Sequence, residues 1–132
     1  MDQALTERLR AFFEKAPAEL VCAYLYGSFA RGEEHAGSDV DLGLLFRTRP
    51  ESTLDATPRR IEDALERELG RVVEVVVLND ASSDLVHRVM RDGILVLDRD
   101  RSFRLAFEVR SQNEYFDMQP IWLLYRRGSA AG

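Results

Sequence analysis

From Tyr26 to Phe46 the chain reads YGSFARGEEHAGSDVDLGLLF, which sets a tight turn, a helix start and two alternating carboxylates between apolar runs. Val21 to Tyr26 is rich in β-branched and aromatic residues and reads as a buried strand ended by a turn at Gly27. Ser28 then stands where a helix opens. As an N-cap it would leave unpaired N–H groups and the positive end of a helix facing whatever fills the turn, which suits phosphate oxygens, and Gly27 would let the backbone approach them closely. Val40 to Phe46 reads as a second strand, so Asp39 and Asp41, two residues apart, project from the same face.

Adjacent carboxylates repel unless a cation lies between them, and a hard divalent cation with oxygen ligands, magnesium first, is the usual solution. A phosphate cradle beside metal-binding carboxylates is the equipment of phosphoryl or nucleotidyl transfer. Each feature has a plain alternative: Asp39 and Asp41 on the solvent face of a half-buried strand, and Ser28 as a helix cap only. Together, Gly27-Ser28, ten intervening residues and Asp39-Val40-Asp41 resemble the signature of the DNA polymerase β-like nucleotidyltransferase superfamily. GSFARG followed by SDVDL is similar, more narrowly, to the minimal nucleotidyltransferases, the antitoxin partners of HEPN toxins.

The chain of 132 residues is long enough for one domain, read here as residues 1–127 with a disordered tail at 128–132, and too short for a separate acceptor-binding lobe. Its composition, 45% hydrophobic and 31% charged, is that of a globular protein. A net charge of −5 argues against binding long nucleic acids, which takes a basic stripe. Cys22, the sole cysteine, reads as a buried small hydrophobe. With no signal-peptide pattern and no membrane-spanning run, the expected location is the cytoplasm.

Leu5, Leu9, Phe12, Phe13 and Ala16 recur at helical spacing and predict an amphipathic helix ending near Pro17. A short helix over Phe29 to Gly32 and a polar loop over Glu33 to Ser38 follow the first strand. Arg31 reads either as a ligand of triphosphate oxygens or as a charge-balancing strut, and His35 as a solvent-exposed residue. Thr57 to Leu69 predicts a helix with Pro58 in its first turn, a stripe of Ile61, Leu65 and Leu69, and Gly70 as its stop. Arg71 to Leu78, RVVEVVVL, is a strand interrupted by Glu74. A lone carboxylate buried among valines is costly, so Glu74 is expected to have a cationic partner; the alternative is an edge strand with Glu74 facing water or an Arg. In the resembled family a third acidic residue on a neighbouring strand completes the metal site, and Glu74 matches it, although Asp is commoner there.

Ser82 or Ser83 is expected to cap a helix lined by Leu85, Val86, Val89 and Met90, with His87 structural or exposed. A strand over Gly93 to Asp98 follows. The last helix, about Ser102 to Arg127, contains Pro120, which is expected to kink or break it. The apolar segment Ile121 to Tyr125 either folds back on the domain or anchors another chain.

This order of elements implies an α/β fold with a small mixed sheet of about four strands, helices packed against one face and the site at one edge; the resemblance implies the same nucleotidyltransferase fold. Gly27 and Ser28 are assigned to the phosphates of a nucleoside triphosphate, Asp39, Asp41 and Glu74 to two magnesium ions, and Glu74 to deprotonating an acceptor hydroxyl. The resemblance implies that ATP is the substrate, that AMP is transferred to a tyrosine of a HEPN toxin encoded nearby, and that the toxin's RNase activity is thereby silenced. Two other readings stand beside this one: transfer to a small hydroxylated molecule, for which a homodimer would build the pocket, and an antitoxin that acts by contact alone.

Overall fold

The computed structural model describes residues 3–51, 53 and 56–131, with side chains as far as Met118. The elements in chain order are α1 (Gln3–Glu14), β1 (Leu20–Tyr26), α2 (Ser28–Arg31), β2 (Val40–Phe46), α3 (Thr57–Leu69), β3 (Val73–Val77), a 3-10 turn (Leu78–Asp80), α4 (Ser83–Asp92), β4 (Ile94–Asp98) and α5 (Arg101–Ala131). The four strands form one mixed sheet in the order β3-β2-β1-β4. β1 runs antiparallel to both β2 and β4. β2 and β3 are parallel, and the crossover that such a pair requires is α3.

Helices cover both faces of this sheet, not the single face expected. On one side, Leu5, Leu9 and Phe13 of α1 and Ile61 and Leu65 of α3 pack on Leu42, Leu44 and Phe46. On the other, Val86 and Val89 of α4 and Phe107 of α5 pack on Tyr24, Leu45 and Cys22. The reason is visible in β1, whose first six residues are all buried; a strand with one wet face alternates, whereas one covered on both sides is apolar throughout. A register shift between Leu20 and Cys22 turns Val21 and Cys22 toward the same cluster.

Local chemistry sets most helix ends. Gly70 closes α3 in the left-handed region at φ 66°. Ser82 caps α4, its hydroxyl accepting the Leu85 N–H at 3.2 Å. α1 ends in a tightened turn before Pro17, where the Ala16 N–H donates to Phe13 O at 3.1 Å, and it also has a long-range partner. Its last carbonyls are met from a distance by the Arg99 guanidinium, which donates to Ala16 O at 2.7 Å and Phe13 O at 3.1 Å. Asn79, on the turn after β3, acts as a substitute strand, donating to Phe46 O at 2.8 Å and accepting from Phe46 N at 3.0 Å.

Two further expectations change. β3 spans Val73–Val77, shorter at both ends than Arg71 to Leu78, because Leu78 enters the 3-10 turn. Helical backbone continues through Pro120, so the proline does not break α5. The side chains of Ile121 to Tyr125, and with them the question of what that segment packs against, lie outside the described residues. No described helix is long and apolar enough to cross a membrane.

Candidate active site

β2 starts and β1 ends at the same end of the sheet, in its two central strands rather than at an edge, so the Gly27 bend lies beside the carboxylates of β2. Tyr26 and Asp41 are partners across the antiparallel pair, and Asp41 and Glu74 across the parallel pair. Paired residues share a face, and here it is the face that α4 and α5 cover farther along, where Gly43 and Leu45 follow Asp41 at the same period. At this end Asp39 and Glu74 are exposed and Tyr26 and Asp41 half-buried.

Gly27 is required by two independent facts. Its φ of 73° with ψ −153° is a backbone state reserved for glycine. A Cβ there would collide with Asp41 Oδ2. The glycine thus lets the Asp41 carboxylate lie directly against the bend. Ser28 is not the N-cap expected. Gly27 takes that position without a side-chain cap, Ser28 is the first residue of α2, and no hydrogen bond to the Ser28 hydroxyl occurs among the described residues. Since α2 is a single turn of four residues, what it offers a phosphate is its free first N–H groups rather than a long helix dipole. Gly32, in the left-handed region at φ 71°, ends it.

The loop that delivers Asp39 is internally tied. Ser38, buried, accepts the His35 N–H at 2.9 Å on its hydroxyl, and the Gly37 N–H donates to His35 Nδ1 at 3.1 Å. His35 is exposed, as expected, and serves the loop rather than the site. Asp39 is exposed and lies just before β2, while Asp41 is half-buried on it.

The three carboxylates share one neighbourhood. Burial, then the charges of Glu74 and Asp39, then a hydrogen bond with Glu74 push the Asp41 carboxyl up to about 6, with Arg31 opposing. The Tyr26 phenol is raised to about 12 by burial and by Asp41 and Glu74, with Arg88 opposing. Glu74 is therefore on the Asp41 side, but it is not buried among valines with a cationic partner. β3 is the edge strand, Glu74 is exposed, and its neighbour is another acid. That arrangement, an edge carboxylate turned toward a second one with no cation between, suits a divalent ion. The donor set, hard carboxylate oxygens from Asp41 and Glu74 on two adjacent strands and from Asp39 just before the first, fits magnesium. The oxygens of the three groups do not all lie within 4.8 Å of one another.

Arg31 sits at the end of α2, where its Nε donates to Glu33 Oε2 at 3.0 Å, and its charge reaches both Asp41 and Asp92 of α4. The strut role is thus directly visible, to Glu33. A second acidic group, Glu62, Asp63 and Glu66 on α3, has a structural explanation: Glu62 accepts the Val75 N–H of the edge strand at 3.0 Å. The groove between α1 and α3, about 420 Å³ and lined by Phe12, Lys15, Arg60 and Ile61, is remote from these carboxylates. Sequence reasoning missed Tyr26 and Ser38 as parts of the site, although the position of Tyr26 just before Gly27 was a usable signal.

Comparison with known proteins agrees with this geometry. The family described as Polymerase beta, Nucleotidyltransferase matches residues 7–102. No match emerges among curated proteins compared by sequence. Among solved structures the fold is similar to that of a toxin-antitoxin complex with AMP-PNP, at 21% identity and a TM-score of 0.74 over 96% of this chain and 94% of that one. It is also similar to a tri-AMPylated Shewanella oneidensis HEPN toxin in complex with MNT antitoxin, at 19% identity and a TM-score of 0.70 over 99% and 96% of the two chains. The MntA-HepT toxin-antitoxin is matched at 18% identity and a TM-score of 0.69 over 98% and 96%. With its Gly27-Ser28 bend set against Asp41 and the family match running through every strand, the chain belongs to the polymerase β nucleotidyltransferase family.

Proposed function

We propose that this protein is a magnesium-dependent nucleotidyltransferase that moves AMP from ATP to a tyrosine hydroxyl of a HEPN toxin and so neutralises it. The observation that carries the reading is the register pairing of Asp41 with Glu74 beside the Gly27 bend, with the charge of Asp39 acting on the same carboxylate. The likeness to a complex containing AMP-PNP and to one with an AMPylated HEPN toxin supports the choice of nucleotide and acceptor.

Asp39, Asp41 and Glu74 would hold two divalent ions, which when bound neutralise the triphosphate and make the acceptor hydroxyl more acidic. The free N–H groups of the Gly27-Ser28 bend and the Ser28 hydroxyl receive the β and γ phosphates. Glu74, on the open edge, is reachable by an incoming protein and accepts the proton of the tyrosine hydroxyl at its carboxylate. The phenolic oxygen forms a bond to the α phosphorus while the bond to pyrophosphate breaks.

The test is to incubate the protein with magnesium, ATP labelled at the α phosphate and the product of the neighbouring reading frame. Label should appear on that partner and disappear with Asp39→Ala or Asp41→Ala. Neutralisation that survives both substitutions, or label on a small metabolite instead, would overturn the proposal.

A further inference from the structure

Charge bookkeeping at the site leaves a deficit. Three carboxylates and a triphosphate carry about seven negative charges against about four positive ones from two divalent ions, so protein cations must face the phosphates. Arg31 is one cation at the bend. α4 supplies the other.

α4 lies across the face of the sheet from which Asp41 projects. A Cβ on Gly43, two residues beyond Asp41 on the same face, would lie 3.3 Å from Val89 Cγ1, and one on Gly93 would lie 3.4 Å from Tyr24 Cβ. With Val89 seated there, Asp84, Arg88 and Asp92 recur at four-residue spacing along one side of the helix. The two ends of that stripe are acidic. Asp92 is held by Arg91 at 3.0 Å and feels Arg31. Arg88, between them, bears on Tyr26, the register partner of Asp41. Little restrains it: its side chain is 57% exposed, and its contact with Asp84, at 3.8 Å, is at the limit of an ion pair. Arg71, by contrast, stacks on Phe29, whose ring belongs to the core on the opposite face.

We infer that Arg88 is a nucleotide-binding residue, reaching from α4 over Tyr26 to the β and γ phosphates of the bound triphosphate and to the departing pyrophosphate. This rests on the reading of the site as a nucleoside triphosphate site. It makes the cleft two-walled, with the Gly27 bend and Arg31 on one side and Arg88 on the other. Arg is suited to the task because its planar fork meets two phosphate oxygens at once and keeps its charge at any working pH.

The experiment measures binding of ATP and of AMP to the wild-type protein, Arg88→Ala and Arg88→Lys, in magnesium, by calorimetry, with a thermal melt of each. Loss of a contact to the outer phosphates should weaken ATP binding about tenfold or more in Arg88→Ala and leave AMP binding within about twofold, with partial rescue by Lys. Unchanged ATP affinity, or equal losses for ATP and AMP, would overturn the inference while leaving the transferase reading intact. A wild-type protein that binds no ATP in magnesium would overturn both.

Discussion

Asp41 on β2 and Glu74 on β3 are register partners of a parallel strand pair, with Glu74 on the exposed edge and Asp41 pressed against the Gly27 bend. Two acids so placed destabilise the metal-free protein and serve it only when a cation joins them. Function and stability therefore pull in opposite directions at this position, and the consequences are measurable.

Asp41→Asn removes the charge that Glu74 and Asp39 oppose while keeping the shape that fits beside Gly27. The variant should melt slightly higher than wild type without metal, by about 1 kcal/mol or less because the group is partly exposed. Its nucleotidyl transfer should fall by a factor of about 100 or more. A variant that retained activity, followed by transfer of label, would remove Asp41 from the catalytic set.

The elevated carboxyl of Asp41 gives stability a pH dependence of known sign. The folded protein holds this proton up to about 6, whereas the unfolded chain releases it near 3.8. The contribution is fully present below 3.8 and is lost as pH rises toward 6. Magnesium should reverse this trend, because it competes with the proton and gains hold as the carboxyl ionises. Melts at about pH 5 and about pH 7.5, with and without the ion, should show a stabilising shift mainly at the higher pH. An equal shift at both would mean that the ion binds elsewhere.

Gly27→Ala is expected to be severe for a reason separate from stability. The positive φ costs about 1 kcal/mol or more for alanine, and the added methyl meets Asp41 Oδ2. Displacing that carboxylate by even about 1 Å should lower transfer by about 100-fold. Gly32→Ala has the milder left-handed backbone, φ 71° with ψ 22°, and meets nothing within 4 Å, so it should cost less stability and much less activity. Comparing the two by melt and by rate separates backbone strain from the site contact.

Arg104 lies at the centre of a polar network beneath α5. Its side chain is 14% exposed and binds Asp98 and Glu108, each at 3.0 Å, while the Tyr24 hydroxyl donates to Glu108. Burial, the Glu108 contact and nearby acids raise the Tyr24 phenol far above its ordinary range, so it stays protonated and remains the donor. Arg104→Ala would leave two acids facing each other without a cation and should destabilise the protein by about 2 to 4 kcal/mol. Tyr24→Phe should cost about 1 kcal/mol, as the loss of one donor. Chemical denaturation checks both, and a neutral Arg104→Ala would mean that α5 is held by its packing, Phe103 and Phe107 included, rather than by this network.

Much of this molecule was legible from local pattern. The bounds of α3, Thr57–Leu69, follow from an apolar stripe between Pro58 and Gly70, and β2 from an unbroken apolar run after Asp41. The Gly27 bend and the Asp39, Asp41 pair were visible as a spacing. Glu74 was visible as an acid that did not suit its strand, yet its surroundings were misjudged: valine neighbours suggested burial, whereas β3 is an edge strand whose N–H is met by Glu62. Ser28 was misassigned as a cap because serine ahead of a helix ordinarily caps it; here Gly27 holds the cap position and Ser28 is the first helical residue.

The amino-acid sequence by itself determined the elements and the bend, because periodicity, glycine conformation and turn chemistry act between residues a few positions apart. Only the tertiary structure decided that Asp41 meets Glu74, that the charge of Arg88 reaches Tyr26, that Arg99 binds the end of α1 and that Arg104 anchors α5. Those pairings join residues far apart in the chain. They are set by strand order and register, which depend on how the whole core packs rather than on any short stretch of it.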